Sequence, residues 1–164
     1  MATLQAGAAA PEFEAASLTG EKFKLSDARK NGAVLAAFFK VGCPTCQYAL
    51  PFLDRLHKAY GSKVRVVAVS QDDAAATSAF AKQYGTTMPM LLDDTQRYPA
   101  SNAYGLTNVP SIFLISPEGK IQQSTVGWVK PEMEQLNATL AQAAGLEPAT
   151  LFKPGEEVKE FKAG

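Results

Sequence analysis

The sequence predicts an α/β protein: a mixed sheet with helices on both faces and a β-hairpin extension at its N-terminus. Three observations carry that expectation. Ala33-Val34-Leu35-Ala36-Ala37-Phe38-Phe39 is apolar without polar alternation, the pattern of a strand covered on both faces. Strand-like runs then alternate with stretches of helical period, which implies parallel strands joined by helical crossovers. Finally, two strand-like runs flank Ser116-Pro117-Glu118-Gly119, a turn that makes them an antiparallel hairpin and the sheet mixed.

In chain order, residues 1–10 are small and weakly patterned and read as a loose entry. Phe13 to Leu25 holds Thr19-Gly20 between two short runs, the pattern of a hairpin. Ser26 and Asp27 can begin a helical turn that Asn31-Gly32 ends before the first core strand. The helix after that strand buries Ala49, Leu53, Leu56 and Tyr60, with Asp54, Arg55 and Lys58 outward. Pro51 lies inside it and should bend it, since its ring blocks a backbone hydrogen bond. Gly61 closes it.

Val64 to Val69 is a second buried strand, rich in β-branched residues. Asp72 or Asp73 can cap the following helix, whose Ala76, Phe80 and Tyr84 share a face before Gly85 stops it. Met90-Leu91-Leu92 is a short strand, with Pro89 marking its start or an edge. A short helix opens at Pro99 and ends at Gly105. Ser111 to Ile115 and Lys120 to Val126 form the late hairpin. Pro131 opens a last helix with Met133, Leu136, Leu140 and Ala144 as its buried stripe and Gly145 as its stop. Pro148, Pro154 and Gly155 mark the tail as an arm over the surface. The expected organisation is one domain over 1–164, with a core of about 11–145 and a C-terminal arm of 146–164.

Composition narrows the function. Sixteen basic residues balance sixteen acidic ones, so no global field favours nucleic acid, an anionic membrane or a charged substrate. No apolar run approaches the roughly 20 residues that cross a bilayer. The start lacks a positive n-region and a long apolar run, so it is not an intact signal peptide. The expected location is cytoplasmic, or extracytoplasmic if an export signal was removed before Met1. Two cysteines are too few for a disulfide scaffold and point to metal or redox use.

Those two cysteines are the candidate site. Cys43-Pro44-Thr45-Cys46 follows the apolar strand through Lys40-Val41-Gly42 and opens the amphipathic helix. Pro44 suits the first helical position, where its missing N–H costs nothing. Cys43 is then the N-cap, its sulfur placed to accept from the orphan N–H groups of Thr45 and Cys46. The positive end of the helix dipole favours a thiolate there. Cys46 falls one turn in, within disulfide reach and more covered.

Cys-Pro-Thr-Cys after an apolar strand, Pro51 in the helix, and Tyr104-Gly105-Leu106-Thr107-Asn108-Val109-Pro110-Ser111-Ile112-Phe113-Leu114-Ile115 together resemble the thioredoxin superfamily. The N-terminal Ala10-to-Asp27 region and the long central region resemble its TlpA/ResA-like, alkyl-hydroperoxide-reductase-like redoxin branch. The resemblance covers roughly 10–144. It implies a thioredoxin-like fold and a thiol–disulfide oxidoreductase, with Cys43 as nucleophile and Cys46 as resolving cysteine. It further implies that Val109 offers backbone hydrogen bonds to substrate beside a cis Pro110. Gly42, Pro44 and Thr45 would border the same substrate. The partners implied are a protein dithiol or disulfide and a redox partner, acting on a monomer without any cofactor.

Three departures bear on the chemistry. Gly42 stands where many thioredoxins have tryptophan. Ala37 replaces the buried acid that often precedes the first cysteine, and Ala49 replaces a glutamate that some ResA-like proteins carry. No proton acceptor for Cys46 is therefore named by the pattern.

Two other chemistries compete. A peroxiredoxin-like peroxidase would use the same cysteines, but the proline and threonine it needs upstream are replaced. Counting from Cys43 those positions hold Ala36 and Lys40; counting from Cys46 they hold Phe39 and Cys43. A structural zinc site would need a full tetrahedral set, and the chain offers two sulfurs and His57. His57 reads as a half-exposed packing residue and Trp128 as packing at a strand end. Lys40 reads either as an aid to the Cys43 thiolate or as a solvated turn residue, and Asp93-Asp94 as a cap or turn.

Overall fold

The structure is a computed structural model and describes residues 2–164. Strands β1 (Glu14–Ser17) and β2 (Lys22–Lys24) form the expected hairpin and lead into a short helix, α1 (Leu25–Ala28), and a 3-10 turn. Next come β3 (Val34–Phe39), α2 (Pro44–Tyr60), β4 (Arg65–Ser70) and α3 (Ala74–Tyr84). They are followed by β5 (Met90–Leu92), α4 (Pro99–Ala103), β6 (Ser111–Ile115) and β7 (Ile121–Val126). A two-residue strand, β8 (Trp128–Val129), precedes α5 (Lys130–Ala144), and β9 (Phe161–Lys162) is the last element.

Seven strands form one sheet in the order β2-β1-β5-β4-β3-β6-β7. β3 is central, parallel to β4 and antiparallel to β6, and all six of its side chains are buried. Its two faces feed two apolar layers. Leu35, Ala37 and Phe39 pack with α2, α5 and Phe80 of α3; Val34, Ala36 and Phe38 pack with the N-terminal hairpin, α1 and α4. Each fully buried Leu or Phe contributes roughly 1.5–3 kcal/mol relative to exposure, so the layers dominate stability. This is the mixed α/β architecture the patterning predicts. Among the described residues no helix is long and apolar enough to cross a membrane.

Three expectations need correction. Asp54 does not face outward: it is 3% exposed. Its carboxylate accepts from the N–H groups of Thr87 and Met88, both at 2.8 Å, so the loop before β5 is clamped to α2. Buried charge is tolerated there because it is fully hydrogen-bonded. The entry segment is not loose over its described part. Leu4 N–H donates to Tyr104, Gly7 N–H to Ile121 and Ile121 N–H to Ala8. The C-terminal arm, finally, does more than lie on the surface. β9 pairs with β8, Trp128 opposite Lys162 and Val129 opposite Phe161.

Candidate active site

The site forms where β3 runs out and α2 begins. The turn between them is held from both sides: Val41 N–H donates to the Asp72 carboxylate at 2.8 Å, and Gln47 Nε2 donates to Val41 O at 2.9 Å. Cys43 has extended backbone angles and caps α2, with Pro44 at the first helical position. The Cys46 amide donates to Cys43 Sγ at 3.2 Å, the side-chain cap expected of the pattern. The two thiols are both free. Cys43 is half-buried, whereas Cys46 is fully enclosed in the α2 layer.

That difference in cover sets their chemistry apart. Burial pushes the Cys46 thiol well above the usual thiol range. Its hydrogen bond with Cys43 pushes it further, and the charges of Cys43 and Asp72 add to the effect. Cys46 is thus kept protonated while Cys43 faces the helix N-terminus. Ala37 and Ala49, where an acid might have stood, are both sealed in the core. The Asp72 carboxylate is among the charges that raise Cys46. It was readable in the sequence only as a possible cap, and Asp73 takes that role by accepting from Ala76 N–H at 2.8 Å.

The loop before β6 closes the site from the other side. The Val109–Pro110 peptide bond is cis, and Cys43 Sγ lies 3.5 Å from Val109 O. Sixty-six positions separate these two residues in the chain, and the pairing of β6 with β3 joins them. Gly42 and Pro44 are exposed at the mouth. Thr45 is buried, and its hydroxyl donates to Ala163 O at 2.6 Å. Lys40 is exposed and lines a small depression of about 180 Å³ with Gln71, Thr107, Asn108 and Val109.

Other candidates resolve into structural roles. Trp128 is fully buried against Tyr48 and Phe52, and its indole N–H donates to Lys159 O at 2.6 Å. Asp93 caps α4 through the amides of Ala100 and Ser101. His57 is half-buried near the end of α2, three turns from the thiols.

With this geometry in place, likeness to known proteins becomes informative. Residues 6–124 match the AhpC/TSA family. The chain belongs to that family. Within it, the chain is 35% identical over 137 residues to the thioredoxin-like protein YneN of Bacillus subtilis, covering 80% of this chain and 78% of that protein. It is 31% identical over 139 residues to the thiol-disulfide oxidoreductase ResA of Bacillus anthracis, covering 84% and 78%. The thioredoxin domain of a thiol-disulfide oxidoreductase from Bacteroides vulgatus superposes with a TM-score of 0.74 over 86% of this chain and 99% of that domain, at 23% identity. The AhpC/TSA chain described here thus has a thioredoxin-like fold.

Proposed function

We propose that this protein is a thiol–disulfide oxidoreductase acting on disulfides or dithiols of other proteins, with Cys43 as nucleophile and Cys46 as resolving cysteine. One observation carries the reading: the accessible sulfur caps a helix and accepts from a backbone amide, while the second sulfur lies behind it, enclosed in the core. Relatives named as thiol-disulfide oxidoreductases support it. The frame is the core of 11–145, and the arm of 146–164 belongs to the same unit.

The reduction runs in two displacements. The Cys43 thiolate attacks one sulfur of a substrate disulfide, forming a Cys43–substrate bond and releasing the other sulfur as a thiolate. Cys46 then gives up its proton and attacks Cys43 Sγ, forming the Cys43–Cys46 bond and expelling the second substrate thiolate. Two electrons have moved to the substrate, and a reducing redox partner must return them. In reverse, the oxidised pair accepts two electrons from a substrate dithiol.

Timing follows from what holds the Cys46 proton. Once Cys43 is bound to substrate it carries no negative charge and no thiol proton. Two of the causes that raise Cys46 then disappear, leaving burial and Asp72. Capture by Cys43 therefore readies Cys46 to attack. Gly42, Pro44, Thr45, Val109 and Pro110 border the sulfur and position the substrate.

The peroxidase reading is weaker, because Ala36 and Lys40, or Phe39 and Cys43, stand where the peroxide-aligning pair belongs. The test compares two assays on one preparation. Reduction of a protein disulfide by the dithiol-reduced protein should be catalytic and absent in Cys43→Ser, with peroxide consumed no faster than by the reductant alone. Rapid peroxide turnover without disulfide reduction would reverse the assignment.

A further inference from the structure

The C-terminal segment 156–164 crosses the mouth of the dithiol site in a way that surface packing does not require. β9 adds to β8 as a strand, extended by Lys130 N–H donating to Glu160 O at 2.9 Å. Beyond β9, Ala163 O accepts from Thr45, two positions after Cys43, and Asn108 Nδ2 donates to Gly164 O at 3.3 Å. Thr45 and Asn108 flank Cys43 from the helix and from the cis-proline loop.

The approach is backbone on backbone. A Cβ on Gly127 would lie 2.7 Å from Lys162 O and 3.0 Å from Gly164 N. A Cβ on Gly164 would lie 2.7 Å from Val109 O, the same carbonyl that Cys43 Sγ meets at 3.5 Å. Real Cβ atoms do not sit that close to backbone oxygen, so this fit exists only because both positions are glycine.

Apolar burial holds only part of this segment: Val158 packs, half-buried, against the α2 layer, while Phe161 is 64% exposed. The rest of what holds it is polar and directional. Arg55 pairs with Glu156 through two contacts of 2.8 Å, Trp128 and Tyr48 hold the peptide group at Lys159, and strand pairing does the rest. An incoming extended polypeptide could reproduce the strand-pairing and Thr45 bonds, and to bring a disulfide to Cys43 it must pass beside Val109.

We propose that residues 156–164 are an internal strap that competes with polypeptide substrate for a strand-accepting groove formed by β8, Thr45 and the Asn108-Val109 turn. This deepens the oxidoreductase reading and rests on Cys43 being the attacking sulfur. The groove takes an extended segment antiparallel to β8, with small residues where it crosses Gly127 and Val109. Small disulfides need no strand pairing and are less hindered.

The test measures KM and kcat for a disulfide-containing protein and for a small disulfide such as oxidised glutathione. A chain ending at Gly155 should show a KM for the protein substrate lowered about fivefold or more, the lower end of usual coupling factors. Its kcat and its rate on the small disulfide should change little. Added peptide of sequence 156–164 should restore the higher KM. In the full-length chain, Gly164→Ala should act in the same direction, and it decides the matter if the shortened chain does not fold. Unchanged KM in both variants, or equal gains on both substrates, overturns the strap. Absence of any Cys43-dependent reduction in the full-length protein would instead overturn the oxidoreductase reading itself.

Discussion

The two faces of the sheet both carry an apolar layer and behave in opposite ways. On the hairpin face, Phe13, Phe38, Tyr104 and Phe113 form a ring cluster with centroids 5.0 to 6.1 Å apart. The described entry segment seals it. The buried Tyr104 hydroxyl donates to Pro11 O at 2.7 Å, as Thr3 does to Gly105 O and Ser101 to Asp93. On the α2 face the core is larger, and it admits Cys46, the Asp54 carboxylate and the Trp128 indole, each with a specific partner. The difference is a helix that begins just beyond the C-terminal end of the central strand β3. An N-terminus there leaves amide donors open, so a sulfur can be both anchored and reachable. On the hairpin face the N-terminus of α4 is closed by the buried Asp93 carboxylate, which accepts from the Ala100 and Ser101 N–H groups, so its donors are taken and that face contributes stability.

The sharpest way to break this contrast is Phe38→Ala. It should cost about 3–5 kcal/mol of stability, the usual price of emptying an aromatic site in a core. The fraction still folded should keep its Cys43 chemistry. Urea unfolding together with activity measured below the transition would show both, and loss of activity at full stability would mean the hairpin face takes part in catalysis.

A smaller effect should come from the α2 face at alkaline pH. The Cys46 thiol is raised in the folded state, so it stays protonated there while the unfolded chain ionises. Stability is then complete below the ordinary thiol value of 9.0 and falls as pH rises through it. Urea midpoints from neutral to alkaline pH should show this slope in the reduced protein and a shallower one in Cys46→Ala, where the Tyr104 hydroxyl, also raised by burial, still contributes above its ordinary 10.0. A slope unchanged by the substitution would assign it to groups other than Cys46.

The smallest effect should be at the strap's anchor. The Arg55 guanidinium holds the Glu156 carboxyl at about 2, well below its ordinary 4.5. The ion pair's contribution is present above that ordinary value and is lost as pH falls toward 2. Glu156→Gln should loosen the strap at neutral pH, read as faster amide exchange near Lys159, with little change in global stability because the pair is partly solvated. Exchange unchanged from the parent protein would show that strand pairing and the Trp128, Tyr48 and Thr45 hydrogen bonds hold the strap without the ion pair.

Much of this was readable in the chain, and the rest has physical reasons for being hidden. Strands and helices announce themselves by period, and Pro44 beside Cys43 marks a helix cap within four residues. Asp54 was misread as a solvated charge because its partners are the amides of Thr87 and Met88, more than thirty positions away. β9 was missed because two residues carry no periodicity and pair with a strand equally short. Val109 and Pro110 entered through resemblance, since nothing local to them points at Cys43. Local chemistry is legible; what a distant backbone supplies is not.

The account stands on the unequal division of labour between the two sulfurs, and mixed-disulfide trapping tests it most directly. Incubated with an oxidised protein substrate and resolved without reductant, Cys46→Ser should accumulate a covalent adduct through Cys43, while Cys43→Ser accumulates none. Equal trapping by both variants, or adducts formed only through Cys46, would contradict it.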